Sequence, residues 1–137
     1  MIKELLKKRR LYFDGGTGTL LQEMGLKGGE PPELWNITNP QKITALHKAY
    51  LDAGSDIIST NTFGINKLKY DNYEELIGAG IDCAKKAIGD RKDKFVAFDI
   101  GPSGKLLEPL GELSFEDAVE LFAANVRVAE KCKADLI

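Results

Sequence analysis

Short apolar runs alternate with longer stretches of helical spacing along this chain. The runs begin near residues 11, 56, 95 and 134, so they recur about every 40 residues. Between neighbouring runs the apolar positions predict one main helix. Strands that alternate with helices at this period are typical of βα repeats with parallel strands. The pattern therefore predicts an α/β chain of about four parallel strands.

Local signals predict where the helices begin and end. The first main helix follows Asn39 as its N-cap and ends before Gly54. The second covers roughly residues 67–88, and the third begins at Ser114, which has an acidic residue three positions later as in a capping box. We also expect a short amphipathic helix in the first ten residues, with its apolar residues Ile2, Leu5 and Leu6 packed inward.

Polar, glycine-containing turns follow the first three apolar runs. In a closed barrel or an open doubly wound sheet, ligands bind at the carboxyl ends of parallel strands. We therefore expect one shared ligand site where these turns meet. Its candidate substrate-binding residues are Asp14, Gly15, Gly16, Thr60, Asn61, Thr62 and Asp99.

The first of these turns suits an amino-acid zwitterion. The Asp14 carboxylate can accept hydrogen bonds from an ammonium group, while the amides of Gly15 and Gly16 can approach a carboxylate closely. Two alternatives are that Asp14 only caps the following helix, or that the turn binds phosphate. The second alternative rests on a resemblance of Asp14-Gly-Gly-Thr-Gly-Thr19 to the first phosphate motif of actin-like ATPases and sugar kinases, where it lies in a β-hairpin.

The other strand ends also have two interpretations each. The two hydroxyls and the amide of residues 60–62 can bind a polar ligand or satisfy the backbone of their own turn. Asp99 can hold a ligand or organise the following loop, and the loop role is slightly favoured. His47 is expected to be a packing or surface residue, and Trp35 either covers the site or anchors its loop.

Composition limits the binding partners and the cellular compartment that we expect for this chain. The chain has 137 residues and a formal net charge of -2, which favours neither nucleic acid nor an anionic membrane as partner. It has no signal-peptide or membrane-span pattern. Cys83 and Cys132 lie in predicted helices without paired spacing, so we expect a reducing, cytoplasmic setting and no metal ligands in this chain.

Five segments, taken in order, resemble the homocysteine S-methyltransferase family. The likeness is strongest to the N-terminal homocysteine-binding module of cobalamin-dependent methionine synthases. The matching segments are Asp14-Gly-Gly-Thr-Gly-Thr19, Glu33-Leu-Trp-Asn36, Tyr50-Leu-Asp-Ala-Gly-Ser-Asp56, Thr60-Asn-Thr-Phe-Gly64, and Asp99-Ile-Gly-Pro-Ser-Gly104 followed by Pro109-Leu-Gly111.

The resemblance implies a (β/α)8 TIM barrel, of which residues 1–137 would be the N-terminal half, truncated at or within the fourth strand. It implies methyl transfer to a zinc-bound homocysteine thiolate in methionine biosynthesis. The methyl group would come from methylcobalamin and 5-methyltetrahydrofolate on other modules. Asp14, Gly15 and Gly16 would hold the amino-acid end of homocysteine, with residues 60–62 lining the same pocket.

The resemblance also implies that the zinc is bound by three cysteines from later strands, beyond Ile137. We therefore expect this piece alone neither to bind zinc in the family manner nor to transfer methyl groups, and to need a C-terminal barrel half as its partner. Two alternatives remain: an actin-like phosphotransferase that uses Asp14, Gly15 and Gly16 as a phosphate loop, and a non-catalytic half-barrel that self-associates through exposed strand edges.

Overall fold

The computed structural model describes residues 2–137, which form an α/β fold of short strands and surrounding helices. The helices are α1 (Ile2–Leu6), α2 (Gly18–Glu23), α3 (Trp35–Thr38), α4 (Pro40–Asp52), α5 (Tyr73–Ile88) and α6 (Phe115–Lys131), with a 3-10 helix at Pro32–Leu34. The strands are β1 (Ile57–Ser59) and β2 (Phe95–Ala97). No helix within residues 2–137 is long and apolar enough to cross a membrane.

The two strands pair in parallel, with Ile58 opposite Val96. The first and fourth apolar runs flank them, but each contributes only a single parallel bridge, Phe13 with Ile57 and Leu136 with Ala97. The expectation of about four strands is therefore confirmed for two of them only. Each outer run hydrogen-bonds to its neighbour only around that bridge, for example through Tyr12 and Asp14 on one side and through Leu136 on the other.

Both faces of this small sheet are covered by apolar side chains. Ile58 and Val96 pack with Leu51 of α4 and with Ala84 and Ile88 of α5. On the opposite face lie Ile57, Phe95 and Ala97, packed against Ile2, Leu5, Leu11 and Leu136. Burying these side chains supplies the main stabilisation of the sheet.

The N-terminal helix differs in one residue from the expectation. Ile2 and Leu5 of α1 pack against the sheet, but Leu6 is 57% exposed. Positions i, i+3 and i+4 share one face of a helix, with Ile2 between the other two. The part of that face that contacts the sheet is the side of Ile2 and Leu5, so Leu6, the last residue of α1, lies outside the contact.

The helix signals were accurate at α4 and α6 and inaccurate at the start of α5. Ser114 Oγ accepts a hydrogen bond from the amide of Asp117, as a capping residue does. In contrast, α5 begins at Tyr73 rather than near residue 67, because Asn66 Oδ1 accepts from the amides of Leu68 and Lys69 and holds this segment in turns. The β1–α5 connection is longer than expected as a result.

Candidate functional site

Asp14 lies at the end of the first apolar run and is bound to the end of β1. Its amide donates to Ile57 O at 3.0 Å, and its carboxylate accepts from the Ser59 amide at 2.9 Å and from Ser59 Oγ at 3.0 Å. The N-cap position of α2 belongs to Thr17, which makes no side-chain capping bond. The Asp14 carboxylate therefore faces the neighbouring strand end instead of capping α2.

Asp14 and Asp99 are two half-buried carboxylates without a cationic partner. Burial raises the pKa of Asp14, the Ser59 bonds oppose that rise, and the negative charge of Asp99 adds to it. Burial also raises the pKa of Asp99. Neither carboxylate forms an ion pair within residues 2–137. A positively charged ligand group at these strand ends would offset both penalties.

The glycine turn after Asp14 leaves its amides available. Tyr50 Oη donates to Gly16 O at 2.6 Å, and a Cβ on Gly15 would lie 3.2 Å from Tyr50 Oη. The amides of Gly15 and Gly16 donate no hydrogen bond to any group in residues 2–137. These two donors stand beside the Asp14 carboxylate and can bind an anionic group.

Thr60 and Thr62 are buried and join the ends of β1 and β2. The two hydroxyls are 2.6 Å apart, Thr62 Oγ1 donates to Asp99 O at 2.8 Å, and the Asp99 amide donates to Thr60 Oγ1 at 3.1 Å. Because Thr62 uses its proton on Asp99 O, Thr60 is the donor between the two hydroxyls. The pair fixes the backbone of Asp99, and its hydroxyls are already hydrogen-bonded.

Asn61 binds the segment that follows α2. Its Nδ2 donates to Pro32 O at 2.8 Å and to Asn36 Oδ1 at 2.9 Å. Asn36, which is buried, donates from its own Nδ2 to Asn61 O at 2.8 Å and to Leu76 O at 3.2 Å. This reciprocal pair joins the 3-10 segment to the end of β1.

Three polar residues of this region were not singled out as site residues from the sequence: Glu33, Asn36 and Ser59. Glu33 and Asn36 lie in one of the motifs that resemble the family. Their place in that motif was the sequence signal that could have identified them. Ser59 is the residue before Thr60, inside the strand, where a serine gives no separate signal. Its role depends on Asp14, which is 45 positions away in sequence.

Trp35 and His47 are both buried structural residues. Trp35 begins α3 and its Nε1 donates to Glu30 at 2.8 Å, so it anchors its segment. His47 lies on α4 and is fully buried, more so than expected. Neither ring nitrogen has a hydrogen-bond partner in the part of the chain that the structure describes. Burial lowers the pKa of His47 to about 4.

The described residues do not fit the zinc that the resemblance implies. Across residues 2–137 no group of three or more histidine, cysteine or acidic side chains could hold a metal ion. Cys83 is buried on α5, where burial raises the pKa of its thiol, and Cys132 follows α6. Cys83 lies within a helix and Cys132 at a helix C-cap, so neither is at the carboxyl end of a strand.

The phosphate-loop alternative requires a hairpin at the first turn. The structure instead has α2 directly after it, and Asp14 lies at a strand end whose neighbour runs parallel. This geometry does not provide the hairpin on which the actin-like alternative depends.

Comparisons with known proteins agree with the fold. The family model described as homocysteine S-methyltransferase matches residues 11–137. Crystal structures of the homocysteine methyltransferase MmuM from Escherichia coli are similar in fold. The metallated form has a TM-score of 0.80 at 21% identity and covers 98% of this chain, and the apo form has 0.75 at 24% and covers 96%.

This chain covers 55% of the metallated MmuM chain and 50% of the apo chain. It therefore spans about half the length of the solved structures that it matches. The likeness supports an α/β fold similar to the barrel of that enzyme.

Proposed function

Because the chain belongs to the homocysteine S-methyltransferase family, we propose that the protein transfers a methyl group to the sulfur of homocysteine. The family match over residues 11–137 carries this proposal. The geometry is consistent with it, since free amides and uncompensated carboxylates lie together at the strand ends, as a zwitterionic amino acid requires.

In this proposal Asp14 and Asp99 receive the ammonium group of homocysteine. The amides of Gly15 and Gly16 receive its carboxylate. An ammonium group has three N–H donors, so it can serve two carboxylates at once. The positive charge of the bound ammonium group would offset the desolvation that raises both pKa values in the free protein.

Thr60, Asn61 and Thr62 belong to the same pocket in this proposal. Their hydrogen bonds within the protein support a role in holding the strand ends at fixed positions. A site whose groups are held by such bonds binds its ligand with a smaller loss of entropy.

The rest of the proposal concerns the whole protein. Residues 1–137 form the N-terminal part of a homocysteine-binding (β/α)8 domain in a cytoplasmic enzyme. The methyl donor is methylcobalamin, recharged from 5-methyltetrahydrofolate on other modules, as in methionine synthases. Zinc ligands must come from other residues, because those described here do not fit the metal.

Calorimetric titration with L-homocysteine tests the substrate site. We expect the 137-residue chain to bind homocysteine and 4-mercaptobutanoate, which lacks the amino group, with at least a tenfold preference for homocysteine. Asp14→Asn should remove most of that preference, while the matched variant Asp52→Asn on the exposed side of α4 should keep it. Equal affinity of Asp14→Asn and wild type for homocysteine would contradict the site.

A separate assay tests the reaction. With methylcobalamin as donor, we expect the protein with all its modules to form methionine, and the 137-residue chain alone to form none. Methionine formation or family-like zinc binding by the isolated chain would overturn the expectation that it is inactive by itself.

Self-association is a second candidate for the isolated chain. Phe13 and Ile137 lie at opposite edges of the sheet and are 54% and 67% exposed. Exposed edges with apolar side chains favour pairing with another chain. Sedimentation equilibrium should show a dimer that Phe13→Asp weakens and Leu110→Asp, at an exposed loop position, does not. A monomer at every concentration would exclude this candidate.

A further inference from the structure

Glu33 is a buried carboxylate beside the strand-end site, and it lacks a close partner. It is 5% exposed, and its Oε2 has no hydrogen-bond partner within residues 2–137. Lys69 Nζ lies 3.9 Å from Oε1, beyond hydrogen-bond distance. Lys69 is half-exposed and distant, so it compensates the cost of burying the Glu33 charge only in part.

The segment above Glu33 is shaped to accommodate it. A Cβ on Gly64 would collide with Glu33 Oε1 and approach Lys69 Nζ to 3.0 Å. Gly64 does not have a positive φ, so glycine is required there for space and not for backbone conformation. The carboxylate therefore occupies the room that the missing side chain leaves.

The segments that carry Glu33 and Gly64 are already joined to the candidate site. Asn61 bonds to Pro32 and Asn36 on either side of Glu33. Beyond Asn61, Thr62 donates to Asp99 O, and the Gly101 amide donates to Phe63 O at 3.0 Å. A shift of residues 61–64 would therefore displace Asp99.

We propose that Glu33 is a positioning residue of the strand-end site, whose carboxylate, packed beneath Gly64 and facing Lys69, fixes residues 61–64 and through them Asp99. Its contribution to homocysteine affinity rests on the function proposed above, whereas its effect on residues 61–64 does not. A buried, weakly paired carboxylate is expensive to keep, and groups retained at a cost to stability are typical of functional sites.

Glu33→Gln tests the role of the carboxylate charge, because it removes the charge and keeps the shape of the side chain. Exchange at residues 61–64 is followed through two amides whose hydrogen bonds involve this segment, Thr62 to Thr60 O and Gly101 to Phe63 O. We expect these amides to exchange with deuterium at least tenfold faster than in wild type, and homocysteine affinity to fall about tenfold. The melting temperature should stay the same or rise, since a buried charge that is only weakly paired with Lys69 is removed. Glu23→Gln, on the exposed face of α2, is the matched control and should change none of the three.

Lys69→Met removes the facing cation and should also speed exchange at residues 61–64. Glu33→Asp, which keeps the charge, should recover part of the protection lost in Glu33→Gln. A purely structural role would instead lower the melting temperature of Glu33→Gln and raise exchange throughout the core. Either that result or unchanged exchange at residues 61–64 overturns the proposal.

The contact with Gly64 has its own test. Gly64→Ala should speed exchange at residues 61–64, and adding Glu33→Ala should restore part of the protection, because the smaller side chain makes room for the new methyl group. Additive losses in the double variant would contradict the contact. If wild type does not bind homocysteine, the proposed function fails, and the exchange measurements still decide the role of Glu33.

Discussion

The carboxylates at the two ends of the strands have opposite electrostatic environments. At the amino end, Asp56 accepts from Arg9 at 2.8 and 2.9 Å, from Lys94 at 3.0 Å and from the Tyr12 amide at 3.0 Å. The bonds from Arg9, followed by those from Tyr12 and Lys94, hold the pKa of Asp56 well below its usual range. At the carboxyl end, Asp14 and Asp99 have raised pKa values and no cation.

The difference separates an end whose charges are paired within the chain from the end at which we propose that the ligand binds. Around Asp56 the hydrogen bonds and charges are satisfied within the chain, which stabilises the fold and leaves no demand for a ligand. Around Asp14 the chain supplies hydrogen bonds but no positive charge. In α/β barrels the carboxyl ends of the strands carry the active site and the amino ends contribute stability, and the charge distribution of this chain is consistent with that division.

The largest loss of stability is expected at the amino end of the strands, around Asp56. Asp56→Asn leaves Lys94 without an anion and Arg9 with only Asp93 at 3.8 Å, so the free energy of unfolding should fall by about 3 kcal/mol. That is the lower end of the usual range, because Arg9 is partly exposed and can be rehydrated. Urea denaturation measures the loss, with Asp52→Asn as an exposed control. A loss no larger than that of the control would contradict the claim that the ion pairs of Asp56 stabilise the fold.

A nearly equal loss of unfolding free energy is expected from protonation of His47 when the pH falls. Its pKa is about 4 in the folded chain and about 6.5 when unfolded. The unfolded state therefore takes up the proton first, so this contribution is complete above pH 6.5 and is lost as the pH falls towards 4. The expected loss by pH 4 is about 3 kcal/mol.

His47→Leu should remove this dependence, as measured by urea denaturation at pH 7 and pH 4.5. The raised pKa values of Asp14 and Asp99 act in the opposite direction, since they favour the folded state as the pH falls. An equally steep pH dependence in His47→Leu would assign the acid sensitivity to other groups.

A moderate effect on ligand affinity is expected at Asp14. Asp14→Asn would lose the charge-assisted hydrogen bond that we propose to the ammonium group, so homocysteine affinity should fall roughly 10- to 100-fold. Its free energy of unfolding should fall by only about 1 kcal/mol, from weaker bonds to Ser59. Calorimetry and urea denaturation of the same samples measure the two quantities. A stability loss as large as that of Asp56→Asn would make both ends structural.

The smallest effect on stability is expected at Asp99. Its side chain accepts no hydrogen bond within residues 2–137, so Asp99→Asn should change the free energy of unfolding by less than about 1 kcal/mol, with a slight gain near neutral pH. The gain should vanish below the pH at which Asp99 is protonated in wild type. A clear loss near neutral pH would show that the carboxylate has a structural partner.

Local signals in the sequence were sufficient where the interaction is itself local. The cap at Ser114 depends on Asp117, three residues away, and the end of α4 depends on Gly54 with its positive φ. The start of α5 was wrong because an Asn66 turn competes with the helix over residues 67–72. The depth of His47 was underestimated, because its burial depends on neighbours that helical spacing does not reveal.

By itself, the sequence determined the alternation of strands and helices, the strand ends as the place of polar chemistry and, through its motifs, the family. These follow from short-range spacing and from residue types. Only the tertiary structure decided that Asp14 is held by Ser59, that Thr60 and Thr62 bind the Asp99 backbone, and that Glu33 lies beneath Gly64. Each of these contacts joins residues far apart in the chain, so it exists only after packing has brought the strand ends together.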